Sequence, residues 1–113
     1  MLVNSNYKVG DVITIKMATA EEVVAKFSEN HDDAISVTKP LVFTMNPQDG
    51  NAMLIPWLMS VDHRDPNPIR VNKSTIITVT KANKQIADHY TQVTSSIVAA
   101  SAAETAAVSK LKV

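Results

Sequence analysis

The stretch 34–61 constrains this chain more than any other, because it reads as one long β-hairpin. In its first arm Ile35, Val37, Leu41, Phe43 and Met45 are apolar and Ser36, Thr38 and Thr44 alternate with them, the period of a half-buried strand. Pro47 and Gly50 mark the turn, the one supplying φ near −65° and the other tolerating positive φ. The second arm, 52–61, is apolar on both parities from Met53 to Met59, so each of its faces needs a cover. Lys39-Pro40 interrupts the first arm, and proline cannot donate to a ladder, so a bulge, bend or edge is expected there. A straight strand of roughly 11 residues would span about 36 Å, long for a small domain, and a sharp bend in it points to a small barrel.

With 113 residues and no cysteine, the chain is expected to be one domain without disulfides or thiolate metal sites. No apolar run reaches membrane-spanning length and no basic-then-apolar leader opens the chain, so a cytoplasmic protein that does not contact membranes is expected. Formal charge is zero, with residues 1–80 at −2 and the remainder at +2. A protein that neutralises phosphates along a nucleic acid ordinarily carries a basic surplus, so strong non-specific binding is disfavoured, although a few placed contacts are not.

Residues 1–8 lack a period and read as an arm. After the Gly10-Asp11 turn signal, Ile13, Ile15 and Met17 alternate with Thr14 and Lys16 in a first strand. Thr19 and Glu22 resemble a helix capping box, but Val23, Ala25 and Phe27 alternate with Glu22, Val24 and Lys26, which favours a second strand. The polar segment 62–70, with Pro66 and Pro68, is predicted to be a loop, and the β-branched run 74–80 a fifth strand. From about Asn83 the period becomes helical, with Ile86, Tyr90, Val93 and Ile97 on one stripe, placing Tyr90 against the barrel and His89 in solvent. Beyond Val98 the chain is rich in Ala, Ser and Thr, and a fraying, mobile tail is expected. The domain map is an arm 1–8, a β-barrel 9–80, and a helix with its tail 81–113.

Five short antiparallel strands followed by a helix suit either an Sm-like barrel or an OB-fold. The opening strand Gly10-Asp11-Val12-Ile13-Thr14-Ile15, the second strand 22–27, the turn Asn30-His31-Asp32-Asp33 leading into Ala34-Ile35-Ser36-Val37, the hairpin turn 46–51 and the fifth strand together resemble the Sm/LSm family, in particular the divergent Sm-like proteins associated with marine cyanophages. The resemblance covers about 8–80 and implies an all-β fold, a small five-stranded antiparallel Sm-like barrel, here with a C-terminal helix. It departs from the family pattern in the place of its helix, in a second strand without glycine, and in lacking an Arg-Gly or Lys-His signature in 62–70. It implies a homo-oligomeric ring of roughly five to seven subunits, five favoured, in which the fourth strand of one copy pairs with the fifth of the next. Met53, Ile55, Trp57 and Met59, with Ile76 and Thr78, would form that interface. Independently of the resemblance, the fourth strand carries no charge from Ala52 to Val61 and would be a poor free edge. The alternative is that the C-terminal helix covers it within a monomer.

In such rings the turns after the second and fourth strands hold single-stranded RNA or DNA. By that resemblance His31 and His63 would stack on bases, Asn30 and Asp32 would line the same turn, with Asn30 reading a base edge, and Arg64 and Arg70 would hold phosphates. The bland reading is that these are solvated turns whose Asn, Asp and Pro serve the backbone, and the carboxylates of Asp32, Asp33, Asp62 and Asp65 would repel phosphate. His31 with Asp33 and His63 with Asp65 offer the ligand types of a divalent cation, but two such pairs are unspecific and neither metal nor cofactor is expected. Trp57 is expected in core or subunit packing, and the five methionines as gap fillers.

With only Gly10 and Gly50 the chain has no phosphate-cradling glycine loop and no nucleophile elbow, and HExxH and CxxC are absent, so an enzyme is not expected. Two functions follow as expectations: a non-enzymatic ring binding single-stranded RNA or DNA, in the host cytoplasm if a phage encodes it, or a scaffold ring that docks protein partners.

Overall fold

The computed structural model describes residues 6–62 and 65–103, with side chains as far as Ser95. Six strands, one 3₁₀ turn and one helix follow in order: β1 (Val12–Met17), β2 (Glu22–Asn30), β3 (Ala34–Met45), β4 (Ala52–Pro56), β5 (Ile69–Asn72), the turn Lys73–Thr75, β6 (Ile76–Lys81) and α1 (Lys84–Ala103). All pairings are antiparallel, in the order β4-β3-β2-β1-β6, with β5 also on β3. The protein is therefore all-β with a C-terminal helix, as expected, but the described residues form six strands. Ile69–Asn72 is a strand where the polar, proline-marked composition of 62–70 predicted only loop. The run 74–80 opens with a turn before becoming β6.

β4 and β5 occupy the same edge of β3. β2 takes the other edge, from Val23↔Val42 to Asn30↔Ile35. Leu41 to Met45 then pair with Pro56 to Ala52, and Ala34 to Val37 pair with Asn72 to Ile69. The two strands run in one line, and the chain departs from it at 57–68, opposite Thr38, Lys39 and Pro40. The expected second arm 52–61 thus ends at Pro56, and Trp57 and Met59 are not on a strand.

That gap coincides with a bulge. Val24 pairs with Leu41 and Lys26 with Thr38, so two steps on β2 match three on β3, and Lys39 adopts φ +49°. An extra residue reverses which face each later side chain meets. Ile35 and Val37 accordingly lie in one core and Leu41 in another. The alternation in 35–45 is real, but its odd positions do not share a face.

The first core gathers Ile13, Ile15, Met17, Val23, Ala25, Phe27, Ile35, Val37 and Val71, with Tyr7, Trp57, Ile76 and Val79 packed around it. Tyr7 meets Phe27 edge-on, 4.9 Å between centroids. The sheet curls about this core until β5, on the edge of β3, and β6, at the far end of the pairing order, are joined by the three-residue turn. The Lys73 amide donates to Asp33 O (2.9 Å) and Ala18 N donates to Thr75 O (2.8 Å), tying the turn to both neighbouring bends. The pairings do not close the sheet, so the closed barrel expected from sequence is not what the hydrogen bonds form.

α1 covers the other face. Ile86, Tyr90 and Val93 pack with Val12, Val24, Leu41, Phe43 and Leu54, which explains why Val24, apolar on a nominally polar parity, is buried. Asn83 caps the helix, its side-chain oxygen accepting from Ile86 N at 2.8 Å. Ile97 lies beyond the described side chains. Tyr90 is 1% exposed, and its hydroxyl lies 3.0 Å from Thr38 O and 2.9 Å from Lys39 O, so it donates to carbonyls at the bulge. Burial pushes its pKa well above the usual phenol value. The next carbonyl, Pro40 O, accepts from Trp57 N (3.2 Å), where the excursion begins.

Candidate functional site

The bend between β2 and β3 is built by short-range hydrogen bonding. His31 N donates to Ala34 O (2.8 Å), and the chain reverses through Asp32 and Asp33, both exposed. Strand β5 and the turn after it bring two cations to this bend. The Arg70 guanidinium sits 3.3 Å from Asp33 Oδ1, and Lys73 Nζ donates to His31 O and reaches Asp32 O at 3.5 Å. The Arg70 to Asp33 pair is largely solvent-exposed and is worth under about 1 kcal/mol. The ammonium of Lys73 is half-buried and acts as a brace, holding two carbonyls of the bend.

His31 is half-buried, with Nε2 2.8 Å from Ser36 Oγ and 3.9 Å from Glu29 Oε1. Ser, His and Glu are the residue types of a nucleophilic triad, but here Ser36 and Glu29 approach the same ring nitrogen, whereas a triad needs the carboxylate on the other. Ser36 is also only 5% exposed. The arrangement orients the ring rather than activating a nucleophile.

Of the residues expected at a nucleic-acid site, Asn30, His31, Asp32 and Arg70 converge on this one end of the sheet, through pairing of β2 and β5 with β3. His63 and Arg64 lie outside the described residues. Lys73 belongs to the cluster and was not singled out by sequence; its signal would have been its place immediately before the β-branched run, which folds as a turn against the bend. Among Glu29, Asp32, Asp33, Arg70 and Lys73 the carboxylates outnumber the cations. Among the described residues no group of three or more His, Cys, Asp or Glu side chains is placed to hold a metal ion. Among them, too, no helix is long and apolar enough to cross a membrane.

The residues expected at a subunit interface are divided. Met53 and Ile55 are on β4, half-buried and 41% exposed, while Leu54 between them is buried under α1. Trp57 packs against the first core, and Met59 stands 78% exposed in the excursion. Ile76 is half-buried against the first core, Thr78 is exposed on β6, and Ile77 is 65% exposed beside them, at a register shift between β1 and β6. The helix covers one face of β4, and among the described residues no strand pairs with its outer edge and β6 is paired on one side only.

Hollows lie elsewhere among the described residues. One, beneath the excursion, is lined by Pro40, Leu41, Leu58, Ile69 and Thr94, with Lys39 and Asp65 among its polar groups. Another is a groove between β4 and α1, lined by Phe43, Met53, Leu54, Ile86 and His89. No family model matches the chain, and no curated protein matches it.

Proposed function

We propose that this chain is an Sm-like barrel that assembles head to tail into a homo-oligomeric ring and binds single-stranded RNA or DNA without catalysing a reaction. The observation that carries the reading is that the two ends of the pairing order, β4 and β6, are both open edges while one bend cluster holds Asn30, His31, Arg70 and Lys73. An uncharged edge such as β4 is stabilised by gaining a strand, and β6 of a second copy, with exposed Ile77, is the other edge the fold leaves open. Repeating that contact around a closed ring would bring the bend clusters together, so that a strand of nucleic acid meets several guanidinium and imidazole groups at once.

The test is fluorescence anisotropy of labelled U-rich RNA, A-rich RNA and single-stranded DNA at two salt concentrations, with native protein and Arg70→Ala. Saturable binding with a shallow salt slope, weakened by Arg70→Ala in an assembled protein, is expected. Unchanged affinity on Arg70→Ala would remove the site. Ile55→Lys tests assembly separately: it is expected to give monomers in sedimentation, and a fully assembled variant would refute the β4 interface.

One observation favours a second reading, a scaffold ring that docks protein partners. Arg70 and Lys73 already have internal partners and carboxylates outnumber cations at the bend, so phosphate would have to compete for them. Absence of any oligonucleotide binding at low salt, with assembly intact, selects it.

A further inference from the structure

One cross-strand row of side chains runs through the bend end of the sheet. Glu29 of β2 pairs with Ser36 of β3, and Ser36 pairs in turn with Arg70 of β5, so the three share a face. The His31 ring lies over the middle of that row, its Nε2 2.8 Å from Ser36 Oγ and 3.9 Å from Glu29 Oε1. The charged groups around it are Glu29 from β2, Asp32 and Asp33 from the bend, Arg70 from β5, and Lys73 from the turn before β6. With a neutral imidazole the three carboxylates outnumber the two cations, and with a protonated one the charges balance.

We propose that protonation of His31 makes this bend accept anions, so that single-stranded nucleic acid is held more tightly at about pH 5.5 than at about pH 8. The nucleic-acid consequence rests on the reading above; the change in anion affinity does not. Of the side-chain types gathered here, only imidazole ordinarily changes charge between those values, since carboxylates are already ionised and Lys and Arg still protonated. The ring can keep its place in both charge states. Ser36 is buried, and its hydroxyl can rotate, donating to an unprotonated Nε2 or accepting from a protonated one. The bend therefore responds through its charge, without rearranging. Its other cations are engaged, Arg70 with Asp33 and Lys73 with the carbonyls of His31 and Asp32, so the charge added at His31 tips the balance. Glu29 does not lock that charge away: it is largely exposed, and 3.9 Å is beyond hydrogen-bond reach.

Sulfate is the first probe, because it carries the same charge at both pH values. Its binding to the full-length protein is followed by the amide resonances of Asp32, Asp33 and Lys73. The native protein is expected to bind sulfate at least about threefold more tightly at the lower pH, the effect of one added charge in a solvated, screened site. His31→Gln keeps a polar group near the place of Nε2 and should abolish the difference. His63 and His89 remain in that variant, so a difference that survives in it would overturn the proposal, as would equal affinities in the native protein. Glu29→Gln changes an exposed side chain and removes one carboxylate at any pH. At the higher pH it should bind sulfate about as tightly as the native protein does at the lower, and affinity no better than native there would count against the charge balance as the cause. Labelled U-rich RNA then tests the nucleic-acid consequence: the salt slope should steepen at the lower pH by about 0.7 for each bend engaged, the increment for one further phosphate on a single strand. A pH-dependent sulfate affinity without RNA binding at either pH would uphold the anion switch and overturn its nucleic-acid consequence together with the reading beneath it.

Discussion

Tyr90→Phe isolates the contact that joins the helix to the bend of the sheet. The hydroxyl is buried, and it donates to the Thr38 and Lys39 carbonyls at 3.0 and 2.9 Å, at the bulge, opposite the break between β4 and β5. Phenylalanine keeps the ring packed against Val24, Leu41 and Leu54 and removes only the donor, so the change reports the hydrogen bond and not a cavity. Removing the donor from these partly buried carbonyls costs about 1–3 kcal/mol. The effect is read from urea denaturation followed by Trp57 fluorescence at pH 7.

The same substitution predicts a pH signature. Burial raises the folded-state pKa of Tyr90 above its unfolded value of 10.0, because the phenolate is disfavoured where water is excluded. Below pH 10 both states hold the proton and the group has no effect on the slope of stability with pH. Above it the unfolded state loses its proton first, so stability falls as pH rises, by up to about 1.4 kcal/mol per pH unit. Comparing the two proteins between pH 8 and 11 should show the extra alkaline loss in the native chain and not in Tyr90→Phe. A variant within about 0.5 kcal/mol of the native protein at pH 7, below the range expected for a buried unpaired carbonyl, would refute the reasoning, as would identical alkaline slopes.

Ala20 has φ +82° in the turn between β1 and β2, where Ala20 N donates to Met17 O and Met17 N to Glu21 O, the position that glycine fills in a three-residue hairpin loop. Ala20→Gly should therefore raise stability, by about 0.5–1 kcal/mol in the same denaturation assay, as relief of the left-handed strain exceeds the added chain entropy. Asn83→Ala removes the helix cap and should cost about 1 kcal/mol, with loss of helical circular dichroism on warming before the sheet melts. Leu54→Ala empties a buried position beneath α1 and should cost about 2–4 kcal/mol; a cost below 1 would mean that α1 does not pack on β4 in solution. Lys73→Met keeps the aliphatic stem and removes the brace on His31 O and Asp32 O, and should raise amide exchange at Asp32 and Asp33 without a matching change in the first core.

Local pattern alone determined much of this protein. The alternation in 12–17 and 22–27, the β-branched run ending in β6, the turn at Pro47 and Gly50, and the stripe of Ile86, Tyr90 and Val93 are visible because each element buries one face and is written in the period of its own backbone. The interruption at Lys39-Pro40 was legible as well, since proline cannot donate to a ladder. Its consequence was not. Only pairing with β2 shows that the bulge adds one residue, which sends Ile35 and Leu41 to different cores although their spacing is even. β5 was hidden for a related reason: Ile69-Arg70-Val71-Asn72 is too short and too polar to announce itself, and it is a strand because β3 offers an open edge beside it. At the candidate site the turn residues Asn30, His31 and Asp32 stood out by type. Lys73 did not, because a lone lysine carries no local signal and acquires its role from carbonyls some forty positions earlier in the chain. Periodicity belongs to a segment, whereas register, facing and long-range polar contacts belong to pairs of segments. The pairs are set by which apolar faces can be buried together, and that is decided only when the whole sheet has folded.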